Sequence, residues 1–327
     1  MQCHHGIHRG WLHLSVSTVD DKIMQIFQWP GIMNHTSIDY LAIGQRLRAY
    51  RIAASLNAEQ IAVELGISRA AVYRLEKGEI KKIETLERLA QCLNTTVETL
   101  LGVGMEYYPH ASGFFERMRQ LEEGSTRIYS HFEPFSYLLT SEKYDAYLQQ
   151  MLLETDSTTV QGDKLDQKSL QTLAILSERK SHLNTHLPKI HNLIGIQHIE
   201  KFIHLGLVGS LNISPSTRME RVLAARQEVK YLLHLLEEKK DIVQVAITKE
   251  TIPSSTFQIF YNDNEALSVA SSPFRLGELP NISAGVAWVS SSKEAIHHHQ
   301  SLFDSLWENA AKGEDALRLL RDTLERY

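Results

Sequence analysis

The strongest constraint on the fold is the stretch AEQIAVELGISRAAVYRLEKGE, which spans residues 58–79. Its apolar residues recur every three or four positions, the spacing that places side chains on one face of a helix. Gly66 interrupts this pattern, and a glycine permits the backbone of a tight turn. Asn57 and Ser68 are good N-cap residues immediately before the two halves. The sequence therefore predicts two short helices joined by a turn, over 58–65 and about 69–77.

Helical spacing continues on both sides of this stretch. Upstream, apolar residues share one stripe of a first helix, and arginines occupy its other positions. The stripe consists of Ile38, Leu41, Gly44, Leu47 and Ala54, and the arginines are Arg46, Arg48 and Arg51. Downstream, the spacing predicts two further helices over 83–93 and 96–101. The prediction for residues 37–103 is an all-α unit of five short helices.

The second helix of the central pair presents basic side chains outward. Residues 37–103 contain nine Lys and Arg against eight Asp and Glu, whereas the whole chain has a net charge of −5. Between residues 69 and 82 there are five basic and two acidic residues. A short helix, a tight turn and a second helix with a basic outer face are the arrangement by which proteins place a helix in the major groove of DNA.

At this point the chain resembles the helix-turn-helix family of lambdoid phage repressors and Cro, the Xre-type transcriptional regulators. The resemblance is carried by LNAEQIAVELGISRAAVYRLEKGE and, after it, ETLERLAQCLNTTVETLL, which together cover about a fifth of the chain. It implies a five-helix repressor-like domain that binds double-stranded operator DNA of palindromic sequence as a homodimer. The direction of regulation and the operator sequence are not implied.

The resemblance also assigns roles to individual side chains. The residues that would project toward base edges are Arg69, Ala70, Tyr73 and Arg74. The residues that would contact phosphates are Ser68, Lys77, Lys81 and Lys82. Arginine suits guanine and an alanine methyl suits the thymine methyl, so these residue types fit that role. Arg51 and Glu76 match two positions that pair with each other beneath the DNA-facing surface. Ala58 stands where many members have glutamine, which removes one DNA contact from the preceding helix.

The segments around this domain have a different character. Residues 1–36 lack helical or strand periodicity and are expected to be a disordered leader or an overextended start, with Met33 as the natural beginning. Residues 102–113 contain three glycines and a proline, and they are predicted to be a linker. The two cysteines, Cys3 and Cys92, indicate neither a disulfide framework nor a zinc site.

Residues 104–327 are predicted to form an α/β or α+β effector and dimerisation domain. Strand-like runs occupy 242–248, 257–262, 266–270 and 285–290. Long helices are expected over 217–240 and 293–311, and both are candidates for a dimer surface. The strand and helix block from FQIFYNDNEALSVASSPFRLGE through GVAWVSSSKEAIHHHQSLFDSLWENA resembles the C-terminal half of phospholipase D-like folds. Catalysis in that superfamily needs a His-x-Lys pair, and the chain contains none.

We therefore predict a cytoplasmic regulator that is not an enzyme and has no cofactor, no metal and no membrane segment. The alternative is an antitoxin-like DNA-binding partner of a toxin protein. Within the second domain, Ser271, Ser272 and Arg275 would suit an anionic effector, although a polar loop is the simpler interpretation. Aromatic residues between 129 and 144 could line a ligand pocket or form ordinary core. The His297–His299 run cannot direct all three rings at one ion from a helix.

Overall fold

The computed structural model describes residues 39–156, 165–183 and 188–327, and residues 39–327 pack as one compact unit. The leader predicted over 1–36 lies outside the described residues. The first five helices are α1 Tyr40–Ala53, α2 Ala58–Leu65, α3 Arg69–Glu76, α4 Ile83–Cys92 and α5 Val97–Leu101. Side chains of Asp39, Asn57, Ser68 and Thr96 cap four of them by accepting hydrogen bonds from backbone amides of the first turn.

Helices α6 to α12 follow the first five along the chain. They are α6 Ala111–Glu123, α7 Tyr144–Asp156, α8 Gln167–Leu183, α9 Ile196–Leu205, α10 Pro215–Glu238, α11 Lys293–Asn309 and α12 Glu314–Arg326. A 3₁₀ turn spans Tyr137–Leu139. No helix among the described residues combines the length and apolar composition needed to cross a bilayer.

The strands form one mixed sheet, which has eight strands within the described residues. They are β1 Met105–Tyr108, β2 Arg127–His131, β3 Lys189–Gly195, β4 Val243–Thr248, β5 Thr256–Asn262, β6 Glu265–Ser272, β7 Ala287–Ser290 and β8 Ala311–Lys312. Their order is β1-β7-β6-β5-β2-β3-β4-β8. The central strands β2, β3 and β4 are parallel, and all other neighbours are antiparallel. The predicted mixed α/β character of the second part is confirmed.

The two faces of the sheet are covered unequally. Adjacent strand residues point to opposite faces, so Phe260 belongs to the large core shared with the N-terminal helices and Ile259 to a smaller one. Within the described residues, α11 supplies the helical side chains of the smaller core, chiefly Ile296 and Phe303. This arrangement places the long helix α10 on the large core, where Val229 and Leu232 are fully buried.

The linker predicted over 102–113 is wrong. Residues 105–108 form the edge strand β1, which pairs with β7, and α6 begins at Ala111. The glycines that suggested a linker serve other purposes: Gly102 ends α5 in the left-handed conformation, and Gly113 lets α6 approach α1, because a Cβ there would lie 2.3 Å from the Ala53 Cβ. The predicted division into domains 37–103 and 104–327 stays a prediction. Both parts lie within the one compact unit that residues 39–327 form.

Buried polar contacts join α1 to the sheet. Arg46, which the helical pattern placed away from the apolar stripe, is 9% exposed, and its Nε donates to Glu106 Oε1 at 2.6 Å. The Tyr50 hydroxyl accepts from the backbone N–H of Tyr107 at 3.0 Å. The helical pattern gives Arg46 no partner, because the sequence alone does not show that β1 packs beside α1. The first helix is therefore part of both the helical unit and the sheet-containing part.

Candidate nucleic-acid interface

The turn between α2 and α3 has the geometry predicted for it. Gly66 ends α2 with φ +67°, in the left-handed region that favours glycine. Ser68 then caps α3, its Oγ accepting from the Ala71 N–H at 3.2 Å. At the start of α2, Asn57 and Gln60 form a reciprocal capping box. A guanidinium N–H of Arg88 donates to the Leu65 carbonyl at 2.9 Å and ties the end of α2 to α4. Both helix ends at the turn are thus fixed.

Helix α3 buries one face and exposes the other. Val72 and Leu75 are its buried residues. All the side chains that the resemblance assigned to base or phosphate contacts are exposed: Ser68, Arg69, Ala70, Tyr73, Arg74, Lys77, Lys81 and Lys82. The first five line one continuous solvent-facing surface of the helix and its cap, while the lysines lie in the segment between α3 and α4. The surface can donate hydrogen bonds to an anionic partner.

Arg69 and Tyr73 hold each other in place on that surface. They are one helical turn apart, so their side chains can meet. A guanidinium N–H of Arg69 donates to the Tyr73 hydroxyl at 3.2 Å, and the guanidinium carbon lies 5.6 Å from the ring centroid. The hydrogen bond to Tyr73 raises the pKa of Arg69. The exposed guanidinium is therefore restricted in direction before any partner arrives.

A second arginine fixes α3 against α1. Arg51 Nε donates to Glu76 Oε1 at 2.5 Å and its Nη2 to Oε2 at 3.1 Å, a bidentate contact between largely buried side chains. Arg51 also donates to the Leu56 carbonyl at 3.1 Å. Gly44 allows the close approach of the two helices, because a Cβ there would lie 2.4 Å from the Glu76 carbonyl oxygen. The ion pair fixes the C-terminal end of α3 against α1 and so helps to set the orientation of α3.

The second predicted site is not assembled. Ser271 and Ser272 are consecutive strand residues on opposite faces of the sheet, and Ser272 Oγ already accepts from the Phe274 N–H at 2.9 Å. Arg275 is exposed, and its backbone bridges to Asn281. An anion could not contact all three side chains, so the hypothesis of an effector site at Ser271, Ser272 and Arg275 is wrong.

The aromatic and histidine clusters resolve mostly into core contacts. Tyr129 stacks on Phe303 beneath α11 with ring centroids 4.7 Å apart, whereas Phe135 and Tyr144 border a cavity of only about 40 Å³ on the other side of the sheet. His299 packs against Trp288, while His297 and His298 face solvent. Over residues 39–156, 165–183 and 188–327, no group of His, Cys, Asp and Glu side chains is arranged to hold a metal ion.

Comparison with known proteins concerns the N-terminal helices. A family described as a helix-turn-helix domain matches residues 42–101. An uncharacterized HTH-type transcriptional regulator, RghRB of Bacillus subtilis (strain 168), is 33% identical over 92 residues, which are 28% of this chain and 63% of that protein. The chain thus spans less than two thirds of the relative it matches. No solved structure gives a significant match. Residues 42–101 are a helix-turn-helix domain.

Proposed function

We propose that the protein is a sequence-specific, DNA-binding transcriptional regulator of the Xre type, acting in the cytoplasm. The observation that carries this proposal is the outward surface of the capped and internally braced helix α3, where all the proposed base contacts are exposed. The three lysines proposed to contact phosphates are exposed in the segment that follows α3. The relative named as a transcriptional regulator supports it. In this function Arg69 and Arg74 read base edges in the major groove, and Ser68 with the three lysines sets the register on phosphates.

The proposed regulator works as a homodimer on a palindromic operator, because two half-sites about one helical turn apart are bound far more tightly than one. The part of the chain after residue 103 would supply the dimer surface and answer an effector. We also propose that this part resembles phospholipase D-like folds in its architecture, and we do not extend the resemblance to their catalytic activity. We assign no enzyme activity to it, since the chain lacks the His-x-Lys pair.

The function is tested by selecting bound fragments from genomic DNA at physiological salt with the full chain. Wild type is compared with an Arg69→Ala, Arg74→Ala double variant, and with Arg318→Ala as a control that removes an exposed arginine from α12. We expect wild type and control to enrich a palindromic motif. Each lost arginine should cost about 1–3 kcal/mol of binding free energy at its base pair, so the double variant should lose the motif. Equal enrichment by all three proteins would contradict the proposal.

Lys81→Ala is expected to behave differently from the arginine variants. Lys81 is exposed in the segment after α3, where an ammonium can neutralise a phosphate without reading sequence. Affinity should fall for all sequences alike, and the slope of log affinity against log salt should become shallower by about one. Titration of specific and random duplexes by fluorescence anisotropy at several salt concentrations measures both. A change of sequence preference in Lys81→Ala would show that the assignment of roles is wrong.

A further inference from the structure

A cavity of about 270 Å³ lies where strand β4 extends beyond its outer neighbour. The short strand β8 pairs with β4 at Ala246 and Ile247, so Val243 to Val245 have no strand beside them on that side within the described residues. Residues of α10, α11 and α12 complete the lining of the cavity. None of the DNA contacts proposed above belongs to it, so the cavity is a separate feature of the molecule.

The walls of the cavity are mostly apolar. Val243 and Val245 are 2% and 3% exposed and line it from β4, while Leu236 lines it from α10 and Leu317 from α12. These side chains belong to the large core, whereas Trp307, which also lines the cavity, packs against the smaller core. The cavity therefore reaches around the edge of β4. A dry space of about 150 Å³ between such side chains binds benzene, so this one is large enough for an apolar chain or ring.

Two lysines line the cavity, and no carboxylate does among the described residues. Lys312 is held in place, because its Nζ donates to the backbone carbonyls of Trp307, Glu308 and Ala310 at 2.6, 3.0 and 2.9 Å. Lys240, just after α10, is exposed and makes no hydrogen bond or ion pair within the described residues. The cavity thus has an ammonium group at its rim that can pair with an anion.

The acidic residues around this region lie outside the lining of the cavity. Glu237 forms an ion pair with Arg321, and Asp241 and Glu314 are exposed to solvent. Water weakens the attraction between exposed charges. A ligand whose apolar part fills the cavity would hold its own charged group beside Lys240, which a solvated surface carboxylate does not do.

We propose that this cavity binds a small carboxylic acid with an apolar chain or ring. The apolar part lies against Val243, Val245 and Leu317, and the carboxylate pairs with Lys240. Burial of apolar surface supplies most of the binding free energy, and Lys240 selects the acid over a neutral molecule of the same shape. Identifying this ligand with the effector of the second part of the chain rests on the proposed function, whereas the binding itself does not.

Binding is tested without DNA by titrating the full chain with octanoate and with octanol, its neutral counterpart, in a calorimeter at neutral pH. Wild type is compared with Lys240→Gln, and with Lys230→Gln as a control that removes an exposed lysine from α10. We expect wild type and control to bind octanoate more tightly than octanol. Lys240→Gln should bind octanoate about fivefold more weakly, the effect of losing one exposed ion pair, and octanol with unchanged affinity.

Tryptophan fluorescence locates the bound molecule. Trp307 lines the cavity, so octanoate should change the fluorescence of wild type. Trp307→Phe keeps an aromatic ring in the core, and in this variant the change should be absent although octanoate still binds. A fluorescence change of the same size in Trp307→Phe would place the ligand elsewhere and overturn the assignment of the cavity.

The remaining outcomes separate the site from its role. Binding of neither probe, or equal octanoate affinities of wild type and Lys240→Gln, would overturn the proposal. Octanoate is then added to the anisotropy titration of the selected DNA. A shift in DNA affinity that needs about fivefold more octanoate in Lys240→Gln supports the role as effector. Saturable octanoate binding without such a shift overturns that role and leaves the site intact, and failure to select any DNA motif overturns only the proposed function.

Discussion

Replacing Glu106 with alanine is expected to lower the free energy of unfolding by about 3–5 kcal/mol, since it leaves two buried guanidiniums without their carboxylate. Arg46 and Arg117 both donate to Glu106, and all three side chains are buried. The loss also removes the ion pair between α1 and β1, and leaves the hydrogen bond from the Tyr107 N–H to the Tyr50 hydroxyl as a polar contact between them. Urea unfolding followed by circular dichroism measures the change.

The matched control is Glu84→Ala, an exposed acid in the first turn of α4, which should change stability by no more than about 0.5 kcal/mol. Acid titration gives a second readout. Burial alone would raise the pKa of Glu106, but the charges of Arg117 and Arg46 bring it below its ordinary value. The ion-pair contribution is thus present above about pH 4.3 and is lost as the pH falls through the folded-state pKa. A cost below about 1 kcal/mol in Glu106→Ala would show that the network contributes little.

Phe303→Ala should destabilise the protein by about 3–5 kcal/mol, because it empties the centre of the smaller core. Phe303 is 1% exposed and stacks on both Tyr129 and Trp307, with centroid distances of 4.7 and 5.2 Å. Among the described residues α11 is the helix over this face of the sheet, so no neighbouring helix can move in to fill the space.

The control for Phe303→Ala is its neighbour Leu302→Ala. Leu302 is 39% exposed on the same helix, and its truncation should cost about 1 kcal/mol or less. Thermal unfolding of both variants beside wild type gives the comparison. Equal losses of stability in the two variants would mean that α11 contributes through helix formation and not through burial on the sheet.

The N-terminal helices were predictable because their signals are local. Capping residues such as Asn57 and Ser68, the turn glycine Gly66 and the spacing of apolar residues all act within a few positions along the chain. The antiparallel strands β5 and β6 were also predicted from local signals, since each is a short strand-like run and the two are neighbours in sequence. Long-range pairing leaves no comparable local pattern.

The strands β2 and β3 were missed, although they form the centre of the sheet. In β3 the run Ile190 to Gly195 includes Asn192, which is fully buried because its amide donates to the Ser130 and Leu193 carbonyls and accepts from the Ser136 N–H. The amide and the histidine before it interrupt the apolar run, and no strand is predicted there. The apolar residues that end at Gly195, directly before an amphipathic helix, were the available signal of a strand followed by a helix.

The candidate interface was predicted better than the contacts behind it. Exposure of Arg69 and Arg74 follows from helix periodicity, whereas the positions of Arg46 and Glu106 depend on β1 lying beside α1. Residues 60 positions apart meet there, and hydrophobic spacing carries no information on that pairing.

The continuous packing of α1 against α6 and β1 bears on how strictly the protein would require a fixed spacing between two half-sites on DNA. One inserted base pair moves a half-site by about 3.4 Å along the duplex and about 35° around it. A DNA-binding domain on a long flexible linker can reorient and still bind the displaced half-site. In a dimer of this chain the phase between the two α3 helices would be fixed by the subunit interface, so an operator with one base pair added between its half-sites should be bound as a single half-site.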